Sequence, residues 1–232
     1  MAKPQSETFP GFPRELVGFL KELRDNNDKT WFEAHRTDYE ALLVAPAQAF
    51  VAAMAGIVAA FEPPLGADPR TNRSLRRIHR DTRFSADKRP FHDQLHVIFW
   101  AGERPNHGAG VHFVIGPDSL GFGAGQWGFE GETLARYRAA IADEASAAAL
   151  AAAIATAETD GGTRLDPPAL ARPPRGFDAS APHGELLRHK CVIVRSDEPH
   201  PDWLFDDRLV ETITPRIAAM MPLIGWLTDE LG

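Results

Sequence analysis

The apolar residues of this chain change their spacing twice, and that change restricts its fold more than any other feature. Over residues 16–61 they recur at helical intervals: Leu16, Phe19, Leu20 and Leu23, then Trp31, Phe32, Tyr39, Leu42 and Leu43, then Phe50, Met54, Ile57, Val58 and Phe61. Further on they contract into strand-sized runs at residues 95–100, 110–115 and 120–125, with Gly116-Pro117-Asp118-Ser119 as a turn between the last two. Helical spacing returns over 130–159 in two alanine-rich segments parted near 143–146. One more strand is expected at 191–195, and residues 206–231 close the chain as a helix interrupted by Pro215 and Pro222. Helices, then strands, then helices, without strand and helix alternation, predict an α+β fold: N-terminal helices, a small, mostly antiparallel central sheet, and C-terminal helices.

At 232 residues with no Gly/Ser linker or charge block dividing it, the chain is expected to form a single domain. Residues 1–12 read as a loose arm. A first helix is expected over 13–25, with proline in its tolerated first turn, and Asn27 or Asp28 can cap the second. A third helix is expected after Pro46. Residues 163–185, with Pro167-Pro168 and Pro173-Pro174, predict a long ordered surface loop. The uncharged run 41–61 holds Pro46 and Gln48 and has apolar residues at helical spacing, which suits a buried helix better than a membrane span. A lone cysteine, Cys191, precludes an internal disulfide and reads as a buried, unreactive thiol. With no apolar leader in the first residues, a cytoplasmic location and no membrane partner are expected.

The chain's formal charge is −7, yet residues 70–92 place Arg70, Arg73, Arg76, Arg77, Arg80, Arg83, Lys88 and Arg89 against Asp81 and Asp87 alone. Cations concentrated in an acidic protein make a local anion site or a buried ion-pair hub, not a broad basic surface. Residues 75–80 alternate as a strand, with Arg76, Ile78 and Arg80 on one side and Arg77, His79 and Asp81 on the other. A loop then follows over 81–89, where Ser85, Asp87 and Pro90 favour turns.

Within that segment Arg77, Arg80, Asp81, Arg83, Phe84, Asp87 and Lys88 resemble the hallmark R-x-x-R-D-x-R-F-x-x-[DN]-K-x-x-Y of a family of uncharacterised, mostly bacterial proteins, a domain of unknown function. The resemblance spans nearly the whole chain. It includes Asn26-Asn27 with Trp31-Phe32 and the glycines of 121–125, and it departs at Phe91, where the pattern has tyrosine. It implies no activity and no cofactor.

Guanidinium groups bind phosphate and carboxylate oxygens in forked pairs. Arg77, Arg80, Arg83 and Lys88 are therefore the candidate ligand-binding residues, with Asp81 as candidate acid or base and His79 as a proton carrier between charged neighbours. The glycine run 121–131 lacks the Lys-Ser/Thr of a phosphate-binding loop and reads as a strand end and tight turn, with Gln126 and Trp127 placed to line a pocket near the arginines. His92 and His96 are four apart on a strand, too far to share an ion, so no metal site is expected. Three functions compete: binding of a small anion, with or without chemistry on it; a structural or interaction module whose arginines are internal glue; and contact with a nucleic-acid backbone, which the net acidity disfavours.

Overall fold

A computed structural model describes residues 9–105, 108–177 and 180–232. The architecture is α+β, with helices flanking a six-stranded sheet. The strands are β1 (Leu65–Gly66), β2 (Leu95–Ala101), β3 (Gly110–Ile115), β4 (Leu120–Gln126), β5 (Arg164–Leu165) and β6 (Val192–Glu198). They lie in the order β1-β2-β3-β4-β6-β5, with each pairing antiparallel.

Alternation along the strands decides which face is covered. Leu95, Val97 and Phe99 of β2, Val111, Phe113 and Ile115 of β3, Leu120, Phe122 and Ala124 of β4, and Val192 and Val194 of β6 are buried. Helices lie over this face. Phe50 of α4 (Ala45–Val58) meets Phe113 at 5.0 Å and Phe99 at 6.0 Å between ring centroids, and Arg216 of the C-terminal helix places its guanidinium 5.0 Å from the Phe122 ring centre. The helices before α4 are α1 (Glu15–Asp25), α2 (Lys29–Ala34) and α3 (Arg36–Asp38). Asp28, not Asn27, caps α2, accepting from the Trp31 amide at 2.9 Å. As expected, two helices follow the meander, α5 (Gly131–Ala142) and α6 (Glu144–Thr159), with Asp143 capping α6.

Four expectations are corrected. Residues 9–12 are not a loose arm: Phe9 and Phe12 are buried, and Phe12 donates its amide to the Leu204 carbonyl; residues 1–8 lie outside the described residues. Pro46 does not begin a separate helix. A π-helical segment, Tyr39–Val44, joins α3 to α4, and its wider turn carries the chain past a residue that cannot donate an amide and would crowd the preceding turn. Pro215 and Pro222 lie inside one helix, α7 (Leu209–Leu231). Each proline costs roughly 3 kcal/mol in a helix interior, whereas fully burying one Leu or Ile side chain returns about 1.5–3 kcal/mol. Ile213, Ile217, Met220, Leu223, Ile224 and Leu227 are all fully buried or nearly so, and together they outweigh both prolines.

The fourth correction concerns residues 75–80, which form no laddered strand. They make isolated bridges, Leu75 to Val97 and His79 to Phe91, and hydrogen bonds from Arg76 N to His96 O (3.0 Å) and from Ile98 N to Ser74 O (2.9 Å). The segment thereby covers the half of the β2 edge that two-residue β1 leaves open. Within residues 163–185, β5 pairs with β6, the Asp166 amide donates to the Ile193 carbonyl (2.8 Å) and the Leu170 amide to the Arg188 carbonyl (3.0 Å). The continuous run Arg36–Val58 is long and apolar enough to cross a membrane by length and composition, but its Phe50, Val51, Met54 and Val58 are fully buried in the protein core.

Candidate functional site

The basic segment pairs several of its arginines with nearby carboxylates through a repeated local device. In Asp81-Thr82-Arg83, the Asp81 carboxylate accepts from the Arg83 amide (3.2 Å), Nε (3.0 Å) and Nη2 (2.7 Å). Asp87 and Arg89 repeat it, as do Asp68 and Arg70, and outside the segment Asp206 and Arg208. A short acidic side chain folds onto the backbone two residues on and holds that residue's guanidinium in a fork. These hydrogen bonds from arginine hold Asp81 and Asp87 below the usual carboxylate range and Asp68 at about 2, so all three stay ionised at neutral pH.

Arg80 is more deeply set than its neighbours, with 20% of its side chain exposed, and it bridges Asp87 (2.8 Å) to the Arg89 carbonyl (3.0 Å). Lys88 donates to the Thr82 carbonyl at 2.9 Å. Arg80, Arg83 and Lys88 therefore close the loop 80–90 on itself. Arg77 is different. Among the described residues no carboxylate stands within ion-pair distance of it, and its charge is felt by Asp81 through space.

Arg77 lines a cavity of about 270 Å³ with Arg76, His79, Asp81, His92, Gln94 and His96. Of the six residues expected to form a site, the structure brings Arg77, His79 and Asp81 to this cavity and places Arg80, Arg83 and Lys88 outside its lining. Gln94 and His96 also line a second, larger groove of about 340 Å³, which runs along the uncovered face of the sheet. On that face β4 presents Gly121, Gly123 and Gly125, opposite Asp197, Arg195 and Ile193 of β6 and Val114, His112 and Gly110 of β3. Residues 121–126 of the glycine run are the strand up to its end, residues 127–130 lead from it into α5, and the β4 backbone serves the ladders on either side. Trp127 lines the groove, as its position after the glycines suggested, and is 63% exposed.

A pair of histidines joins the two spaces. His96 Nε2 lies 2.8 Å from His112 Nδ1, so one ring donates to the other. Burial, reinforced by the neighbouring imidazole and Arg76, lowers His96 to about 3; burial, then Arg76, lowers His112 to about 4. Both are neutral at pH 7. His92 is also pushed down, by burial and then by Arg80 and Arg76. His112 escapes a reading based on sequence spacing because its partner lies on another strand. The Val111-His112-Phe113 alternation nevertheless signals a polar side chain opposite the core face.

Among the described residues no group of three or more His, Cys, Asp or Glu side chains could hold a metal ion. Cys191 is partly exposed rather than fully buried, and burial, with Asp166 nearby, raises its thiol away from the thiolate form.

The match of a family model then places the chain. A model described as a conserved hypothetical protein, DUF2461, covers residues 15–226. The chain belongs to the DUF2461 family. No curated protein and no solved structure matches it.

In this DUF2461 chain the cavity is held in place from the N-terminal helices. Asn27 donates Nδ2 to the Phe91 carbonyl and accepts the Phe91 amide on Oδ1, each at 3.0 Å, as a neighbouring strand would. Phe91 is buried and stacked on Phe32 with centroids 4.1 Å apart, so the residue at this position is core and not cavity lining. Replacing Asn27 by alanine removes both bonds and leaves two backbone groups to find water. A loss of about 2 kcal/mol is expected in urea unfolding, and Asn27→Asp, which keeps the acceptor, should lose about half of that. Equal losses for both variants would show that the donor bond carries the whole effect.

Proposed function

We propose that the protein binds a small anion bearing a phosphate or carboxylate group, in the cavity lined by Arg77. The observation that carries this reading is a guanidinium at a cavity wall with no carboxylate in ion-pair range among the described residues, whereas Arg80, Arg83 and Arg89 each have one. Arg76 adds a second positive charge to the lining, and Gln94 and the neutral His96 supply polar groups that cost little to desolvate. Asp81, ionised and forked to Arg83, serves as a hydrogen-bond acceptor or base toward a protonated group on the ligand, with His79 as the proton carrier beside it. Binding does not require that a reaction follows.

Titration calorimetry with inorganic phosphate, sulfate, citrate and phosphorylated sugars tests the proposal. At least one is expected to bind and to raise the melting temperature, and Arg77→Ala should weaken that binding about tenfold or more, the loss of one charge-assisted fork. A panel without a binder, or an Arg77→Ala protein that binds as well as the parent, would overturn it.

A second reading, internal glue, is supported by Arg80, which ties Asp87 to the Arg89 carbonyl from a largely buried position. The two readings assign different residues. Arg80→Ala should lower stability while Arg77→Ala should lower affinity. A nucleic-acid role requires binding that weakens steeply with salt, which a filter assay reads directly.

A further inference from the structure

The groove beside the Arg77 cavity has a floor without side chains. Gly121, Gly123 and Gly125 follow one another on the face of β4 away from the core and line the groove, so no β4 side chain enters it, and Gly121 is the least covered of the three. Such a floor accepts a flat molecule. It does not suit an extended peptide, because the backbone groups of β4 are already paired to β3 on one side and β6 on the other and can add no further strand.

The walls indicate what kind of flat molecule fits. His96 and His112 are joined by one hydrogen bond, which engages Nε2 of the first and Nδ1 of the second. Whichever ring donates, the two outer nitrogens, His96 Nδ1 and His112 Nε2, comprise one N–H and one lone pair. Neither outer nitrogen makes a protein hydrogen bond among the described residues, and neither belongs to the buried, unpartnered polar atoms, where Arg138 Nε stands. They are therefore not fully buried, and both rings line the groove. Together they offer a ligand one donor and one acceptor, which the polar edge of a heteroaromatic ring can complement. Trp127, largely exposed after the last residue of β4, supplies an aromatic surface on the same groove. The groove and the Arg77 cavity meet at Gln94 and His96, and β2 and β4 lie two strand spacings apart, about 10 Å, which is a distance that a nucleotide-sized molecule bridges and an inorganic ion does not.

We propose that the groove receives the flat heteroaromatic ring of a ligand whose anionic group sits at Arg77, a nucleoside monophosphate being the simplest molecule of that shape. The inference rests on the anion-binding reading and adds the ring. The ring lies on the glycine floor, and its edge exchanges hydrogen bonds with the imidazole pair.

Calorimetry on the full chain with adenosine 5′-monophosphate, uridine 5′-monophosphate and ribose 5-phosphate separates the two. One of the nucleotides is expected to bind about tenfold or more tightly than ribose 5-phosphate, the range of a single base stacked and recognised at its edge. Gly121→Val, which fills the floor, should erase that advantage and leave ribose 5-phosphate binding unchanged. A Cβ at Gly121 meets Val114 Cβ at 3.5 Å, an ordinary contact, so the fold is retained; Gly121→Ala, checked by its melting curve, gives the same reading with a smaller group. If ribose 5-phosphate binds and neither nucleotide exceeds it, or if folded Gly121→Val binds the nucleotide as before, the ring site is overturned and the anion site stands. If none of the three binds, the ring site is overturned, and the anion site is overturned as well when the wider panel of phosphate, sulfate and citrate is also empty.

Discussion

Gly123→Ala is expected to cost about 3 kcal/mol or more of stability, while Gly121→Ala, two residues earlier on the same strand and the same face, should be close to neutral. A methyl group at Gly123 would overlap the Val194 carbonyl oxygen and stand 2.8 Å from both the Cα and the Cβ of Arg195. These are mostly backbone atoms of β6, and they can retreat only by breaking the ladder that pairs Gly123 with Arg195. Gly121 lacks this conflict. Its added methyl meets Val114 at ordinary contact distance, and the lower entropy of the unfolded alanine chain offsets the remainder. Gly125 should behave like Gly123 with a further penalty, since its φ of +147° is one that side chains rarely adopt. Urea unfolding of the three alanine variants measures the ranking. Equal losses at 121 and 123 would show that the approach of β6 is not what requires glycine here.

The second large effect is a loss of stability in mild acid. His96 and His112 are held well below their ordinary value of 6.5, at about 3 and about 4, because the folded protein buries them where a charge is poorly solvated. The unfolded chain takes up these protons near pH 6.5 and the folded protein does not, so the stabilising contribution is complete above pH 6.5 and is lost as pH falls toward the folded values. At pH 5 each histidine accounts for roughly 2 kcal/mol at most, from about 1.4 kcal/mol per pH unit. The pair together is expected to remove on the order of 2–4 kcal/mol between pH 7 and pH 5. Melting temperatures across that range should fall in the parent and fall much less in His96→Gln/His112→Gln. Parallel slopes would assign the acid sensitivity to other groups. The carboxylates of the basic segment do not compete in this window: arginine hydrogen bonds lower Asp68, Asp81 and Asp87, so their contribution is lost only at more acid pH.

Much of the fold could be read from spacing, because spacing reports which face an element buries. Val111, Phe113 and Ile115 alternate and form a strand with those three residues in the core; Leu16, Phe19, Leu20 and Leu23 follow helical intervals and form the buried face of α1. Proline was the misleading signal. Pro46, Pro215 and Pro222 each weaken a helix locally, and in each case burial along the same helix, or the wider π turn before it, prevails. The candidate site was legible only in part. Counting charges over residues 70–92 located the segment but not the division of labour within it, in which short-range forks satisfy Arg83 and Arg89, Asp87 also holds Arg80, and Arg77 is left facing a cavity.

Local chemistry therefore determined the order of helices and strands, the chain's family resemblance and the position of its cationic segment, since each depends on residues close together in the chain. Which guanidinium faces open space, which two imidazoles share a proton, and that three glycines become the floor of a groove were decided by the tertiary structure alone. Each of these depends on strands β2, β3, β4 and β6 coming side by side in a particular register, and a register is set by packing across the whole sheet rather than by any one of its strands.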